Sequence, residues 1–229
     1  MLYPDIYYFI LVIPALIISM WAQYKVKSNF NKFSSVLNSR GITGAAAAQA
    51  ILSYYNIADV SVRQIAGSLT DNFNPQTNVI SLSQSVYGSS SIAAIGVACH
   101  EAGHAAQHAE GYTPIKIRNT IIPICKIGSA AGLPLAVLGL ILSFGPLVYL
   151  GLGLYATVFV FQLVTLPVEF DASKRALKVI EETGLLYNEE IDGARKVLQS
   201  AALTYVASML VSLANLLRFI LRFTRNSRR

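Results

Sequence analysis

His100, Glu101 and His104 stand together in the run His100-Glu101-Ala102-Gly103-His104. If the run is helical, the two histidines are one turn apart on the same face, with about 6 Å of axial rise between them. Two imidazole nitrogens can then converge on one tetrahedral ion, and zinc suits nitrogen and carboxylate ligands. Glu101, one residue on, falls beside that ion. There its carboxylate can take a proton from a bound water and pass it to a leaving amine. The chemistry implied is metal-assisted hydrolysis, with one Zn2+ per chain and Glu101 as general base. A chance spelling is the plainer reading, and two details weigh against it. All three histidines of the chain fall in this stretch, at 100, 104 and 108, and the apolar run from Ile92 to Cys99 leads into it.

A catalytic zinc takes a third protein ligand. His108 lies about 12 Å along the helix from His100, too far to share the ion, and reads as a surface residue. Glu110 would need the chain to turn where Gln107 stands, and Cys99 points about 100° away from His100 and reads as core. After Glu110 the next acidic residue is Glu169, just past Pro167. Proline suits a first helical turn, so Glu169 and Asp171 are expected in a helix mouth near the bilayer. Glu169 then supplies a carboxylate to complete a site of two histidines and one glutamate, or is an ordinary interfacial charge. Asp171 reads equally as a group that supports a metal ligand or as a partner of the helix dipole.

The elements that must position these groups are largely apolar. Hydrophobic residues make up 54% of the 229-residue chain and charged residues 13%. Soluble domains are about a quarter charged, so much of this chain faces lipid. The net charge of +6 sits beside apolar segments, which fits a positive-inside pattern better than a nucleic-acid face. The two cysteines make no CxxC pair, and no nucleotide-binding glycine pattern occurs. Residues 1–24 begin without a basic residue and place Lys25 and Lys27 after the apolar run, as an uncleaved anchor with its N-terminus outside would. No charge occurs between Lys126 and Glu169, a run of roughly two spans at about 20 residues each. It is expected to turn near Ser143 to Pro146.

The organisation expected is therefore an anchor (1–24), a cytoplasmic domain with the histidine helix (25–120), a transmembrane hairpin (121–167), a cytoplasmic helix with the third ligand (168–200), and a C-terminal apolar helix with a basic tail (201–229). Basic residues flank Ala201 to Leu217 equally, so its charges do not orient it. Within the cytoplasmic part, Thr43 to Tyr55 reads as a helix. Val60 to Ile65 and Asn78 to Ser83 read as strands, and Asp71 to Pro75 as a turn. Ser89 or Ser90 is expected to cap a helix running to Ala109, with Gly111 as its stop.

The stretches DNFNPQTNVISLS, SIAAIGVACHEAGHAAQH, LPVEFDASKRAL and VLQSAALTYVAS resemble the YugP-type membrane zinc metallopeptidases, relatives of the HtpX and CAAX-prenyl-protease gluzincins. The resemblance covers nearly the whole chain. It implies a mainly α membrane protein whose transmembrane helices carry a small cytoplasmic α+β zincin-like metallopeptidase domain. It implies His100, His104 and Glu169 as zinc ligands and Glu101 as the base. In the HtpX group an aspartate four residues after the ligand glutamate orients a ligand histidine. Here that position is Ser173, and Asp171 is the candidate for the role. Asn78, Val79, Ile80 and Ser81 would form the edge strand to which an extended peptide adds, or else a purely structural strand.

Three functions remain in contention. One is an endopeptidase at the cytoplasmic surface of the plasma membrane, acting on peptide or membrane-protein substrates, with Tyr205 or His108 as candidate oxyanion donors. The second is a site-2-type intramembrane protease using Asp192-Gly193, although NEEIDGARK is highly charged for a span. The third is a non-catalytic zinc-binding membrane scaffold. The bilayer is a partner in each, and neither nucleic acid nor nucleotide is expected.

Overall fold

A computed structural model of the chain describes residues 5–227. A π-helical turn (Tyr8–Val12) runs into α1 (Ile13–Ser34), followed by α2 (Gly44–Tyr54), β1 (Ser61–Ile65), β2 (Asn72–Asn74), β3 (Val79–Ser83), α3 (Gln84–Tyr87) and α4 (Ile92–Ala109). Three long helices complete the chain: α5 (Thr113–Ile141), α6 (Gly145–Thr183) and α7 (Glu189–Ser227). The fold is mainly helical with one small mixed sheet. Among the described residues four helical stretches are long and apolar enough to cross a membrane: Tyr8–Ser34, Thr113–Ile141, Gly145–Thr183 and Glu189–Thr224. The chain forms two compact units.

One unit takes the chain through Ala22, Ile117–Leu166, and from Thr204 onward. Small residues bring its helices together. A Cβ on Gly132 would lie 2.7 Å from the Tyr155 backbone nitrogen, and one on Gly151 would collide with the Ala136 backbone. Close backbone approach of this kind is how helices associate where burial from water offers no drive. Ile124, Ile127, Ile141, Leu150 and Leu163 are exposed, as lipid-facing side chains are. At one end of this unit Asp5 accepts hydrogen bonds from Arg218 Nε at 2.8 Å and an Arg222 terminal nitrogen at 2.9 Å. The start of the first helix and the end of α7 therefore lie at the same end of it.

The other unit comprises Gln23–Lys116 and Pro167–Leu203. Its core is contiguous, with Ile51, Leu52, Ile80, Leu82, Ile95, Ile180 and Leu186 fully buried. Each such side chain contributes roughly 1.5–3 kcal/mol on burial. Thr43 caps α2 by accepting from the Ala46 N–H at 3.3 Å. The sheet has strand order β1-β3-β2. β3 pairs parallel with β1 and antiparallel with β2.

The structure corrects the sequence reading in three places, and excludes one of the two readings left open for β3. Asp71 to Pro75 is not simply a turn: Asn72–Asn74 is strand β2, its asparagines exposed and Phe73 half-buried. Pairing with β3 overrides the turn propensity of these residues. β3 is not an edge strand, because β1 and β2 occupy both of its hydrogen-bonding sides. Val79, Ile80 and Ser81 thus have no side left for an added peptide, and Asn78 precedes the strand with a φ of 51°. The cap of α4 is Ser91, which accepts from the Ala94 N–H at 3.2 Å, one residue beyond the expected serines. α1 continues to Ser34, well past the polar flank at Lys25, because Phe30 and Phe33 join the core of the second unit. Gly111, with φ of 68°, does follow the end of α4.

Candidate metal centre

α4 is rich in alanine and glycine, and thirteen of its eighteen residues are buried. Small residues let a second helix lie directly on it. The closest approach is at Gly103, where a Cβ would sit 2.6 Å from the carbonyl oxygen of Ala172 on α6. That distance excludes any side chain. Gly103 lies inside the histidine run, so the crossing point of α4 and α6 is also the point where their polar side chains meet.

At this crossing Glu169 reaches both histidines. Its Oε2 lies 3.2 Å from His100 Nε2 and 3.5 Å from His104 Nε2. The two imidazoles are edge-on, with centroids 4.7 Å apart. Glu169 is 2% exposed, a burial that carboxylates accept only when paired. Burial pulls its pKa up, but the hydrogen bonds and charges of His100 and His104 outweigh this and hold it below the usual carboxylate range. Burial likewise favours neutral His104, while the Glu169 carboxylate prevails and raises its pKa.

The donor set fits a zinc ion. Ligand atoms of His100, His104 and Glu169 all lie within 4.8 Å of one another. Bonds of about 2.0–2.1 Å around a tetrahedral ion place neighbouring ligand atoms about 3.4 Å apart, close to the two distances at Glu169. Each histidine also has its second ring nitrogen engaged, as metal-binding imidazoles do. His100 Nδ1 is 3.1 Å from Ser173 Oγ, and His104 Nδ1 is 3.0 Å from Gln107 Oε1. Among the described residues no other group of three histidine, cysteine or acidic side chains has this arrangement.

The remaining sequence candidates are placed as follows. Glu101 is half-buried on α4, the turn that carries the histidines, and its negative charge adds to the rise in His104's pKa. Asp171 does not touch a histidine. It accepts from Gln107 Nε2 at 2.9 Å and from Arg175 Nε at 2.6 Å. Glu110 ends α4 and accepts from Arg175 at 2.5 Å, which holds it apart from the histidines. His108 is exposed, with its ring 5.9 Å from that of Phe73. Cys99 is fully buried, which pushes its thiol pKa up. Asp192 is exposed and lies 3.7 Å from Arg195, outside the ligand group.

Comparison with known proteins gives the same answer from a separate direction. The family described as "Putative neutral zinc metallopeptidase" matches residues 8–224. The chain belongs to that family. It is also 47% identical over 213 residues to the "Putative membrane protease YugP" of Bacillus subtilis (strain 168), covering 93% of this chain and 95% of the relative. No solved structure matches. Membership in a zinc metallopeptidase family suits the ligand geometry and the four apolar helices.

Three residues in the centre escaped the sequence reading: Gln107, Ser173 in a direct role, and Arg175. Gln107 enters that reading only as the place where the chain would have to turn for Glu110 to reach the ion. Its spacing of three from His104, on the same helical face, was the available signal. Ser173 and Arg175 follow Glu169 at four and six residues, and only Ser173 shares its face.

Proposed function

We propose that this protein is a zinc-dependent endopeptidase of the gluzincin type, with His100, His104 and Glu169 as metal ligands and Glu101 as general base. The observation that carries the proposal is the single carboxylate oxygen of Glu169 facing both Nε2 atoms while both Nδ1 atoms are held from behind. An ion held by His100, His104 and Glu169 would supply polarisation of a carbonyl and a water acidic enough to act as nucleophile near neutral pH. Glu101 takes the proton of that water and delivers it to the departing amine. Its position one residue from His100, on the same helix, keeps it near the ligand set without being part of it.

Substrate binding is assigned to β2 in place of β3. β2 ends the sheet, and its Phe73 ring packs near His108 of α4. An extended peptide adding to the outer side of β2 would run alongside the histidine helix, fixed by main-chain hydrogen bonds. We place the protein in the plasma membrane with the centre facing the cytoplasm. Lys25, Lys27 and Lys32 toward the end of the first helix, and Lys174, Arg175 and Lys178 in α6 after its charge-free part, support that orientation. Peptides and membrane-protein segments are the substrates this location favours.

The experiment is Glu101→Gln in detergent-purified protein. Zinc content is expected to stay near one per chain while casein cleavage or self-cleavage falls about 10²–10⁴-fold, the usual share of a general base. Undiminished cleavage with full zinc would remove Glu101 from the mechanism. A wild-type protein that holds zinc and cleaves nothing would favour the scaffold reading.

A further inference from the structure

Gln107 bears no charge and belongs to no metal motif, yet it is completely buried beside a ligand histidine. Its amide nitrogen donates to the Val168 carbonyl oxygen at 2.8 Å and to Asp171 Oδ2 at 2.9 Å. Both partners only accept. The amide therefore cannot be turned over, since a flip would set its oxygen against two other oxygens. The Gln107 Oε1 is left for His104 Nδ1, at 3.0 Å, and this ring nitrogen must then carry a hydrogen. In the neutral ring the lone pair of His104 then falls to Nε2, on the side of Glu169.

The far end of this arrangement is braced as well. Asp171 accepts from Arg175 Nε at 2.6 Å, and Arg175 donates from a terminal nitrogen to Glu110 at 2.5 Å. The guanidinium carbon lies 6.0 Å from the Tyr55 ring centre and 5.7 Å from that of Tyr112. Asp171 and Glu110 both raise the Arg175 pKa against burial, so the charge at the end of the chain of bonds is permanent. His100 has nothing equivalent: its Nδ1 meets the Ser173 hydroxyl, which donates or accepts as required.

We infer that Gln107, locked by Val168 and Asp171, is the positioning residue that fixes the Nδ1–H form of His104 and turns Nε2 toward the metal. The inference rests on the reading of His100, His104 and Glu169 as zinc ligands. Asp171 acts one step removed, by orienting the amide.

The test measures zinc affinity of the full chain in detergent by chelator competition, together with the exchangeable imidazole N–H resonances of cobalt(II)-substituted protein. Gln107→Leu is expected to weaken zinc about 10–100-fold, the usual cost of losing an outer-shell partner. It should also broaden the His104 N–H resonance by exchange with water while that of His100 persists. Gln107→Met fills the same volume without the oxygen and should behave alike. Gln107→Glu sets a carboxylate against Asp171 and should weaken binding too. The inference is overturned if the leucine and methionine variants leave the His104 resonance unchanged, whether they bind zinc as wild type or weaken it through lost packing alone. A wild-type protein that takes up no zinc, or a His104→Ala variant that binds it equally well, instead overturns the ligand assignment.

Discussion

The two helices of the centre contribute in different ways. α4 brings a local pattern: His100, Glu101, His104 and Gln107 lie within eight residues, and helical geometry alone puts three of them on one face. α6 brings Glu169, Asp171, Ser173 and Arg175, and each of these touches something on α4 or supports something that does. The α4 groups define a place for an ion, and the α6 groups close it and hold its histidines in orientation. A helix can therefore advertise half a site in its sequence while the other half has meaning only after the two helices cross.

If that division holds, substitutions on α6 should act on the metal, not on the chemical step alone. The largest effect is expected from Glu169→Ala. Zinc affinity should fall by more than about 100-fold, beyond the range of an outer-shell loss, and chelator competition measures it. Retention of zinc by this variant would leave α6 as mere packing. Next comes Gly103→Val, which strikes the crossing itself. Forcing a branched side chain against the Ala172 carbonyl should cost about 1–3 kcal/mol, as overpacking does, seen as a lower unfolding temperature without metal. Zinc affinity should drop with it, because Glu169 Oε2 moves from both histidines at once.

A third expectation concerns protons. Burial disfavours protonated His104, but Glu169 prevails and raises its pKa above the ordinary 6.5. Metal needs the neutral ring, so binding releases a proton over that range. Apparent zinc affinity should therefore rise with pH through and above 6.5, and Glu169→Gln should shift the rise to lower pH. Titrations by chelator competition between about pH 6 and 8.5 would show both; a flat profile would mean that His104 is not a ligand. The smallest effect is expected from Ser173→Ala. Its hydroxyl is replaceable by water at His100, which is partly buried and still 13% exposed, so zinc affinity should weaken by less than the roughly tenfold lower bound of an outer-shell loss.

The same asymmetry governs what the sequence could tell. α2, β3, the end of α4 at Gly111 and the turn near Ser143 were readable because each rests on local chemistry: a cap, an alternation, a positive φ. Glu169 stood out as the first acidic residue after a long charge-free stretch, and the family resemblance pointed to the same residue. Gln107 was invisible because an uncharged amide announces nothing until both of its faces are seen to be occupied. β2 was misread because Asn72, Asn74 and Pro75 favour turns, and only the partner strand makes Asn72–Asn74 extended. With β2 unseen, the edge reading of β3 stayed open beside the structural one, and the two paired neighbours exclude it.

The Gly103–Ala172 crossing has a further consequence for how the protein experiences its surroundings. Ligands drawn from both helices make a bound ion a rivet through that crossing, so separating the helices means giving up the metal. An ion bound to the folded chain alone stabilises it by about 4 kcal/mol at a thousand times its dissociation constant. Resistance to heat or to added protease should accordingly rise and fall with free zinc, even in a chain carrying Glu101→Gln that turns over nothing. The fold would then serve as a gauge of zinc supply, readable before any substrate has been found.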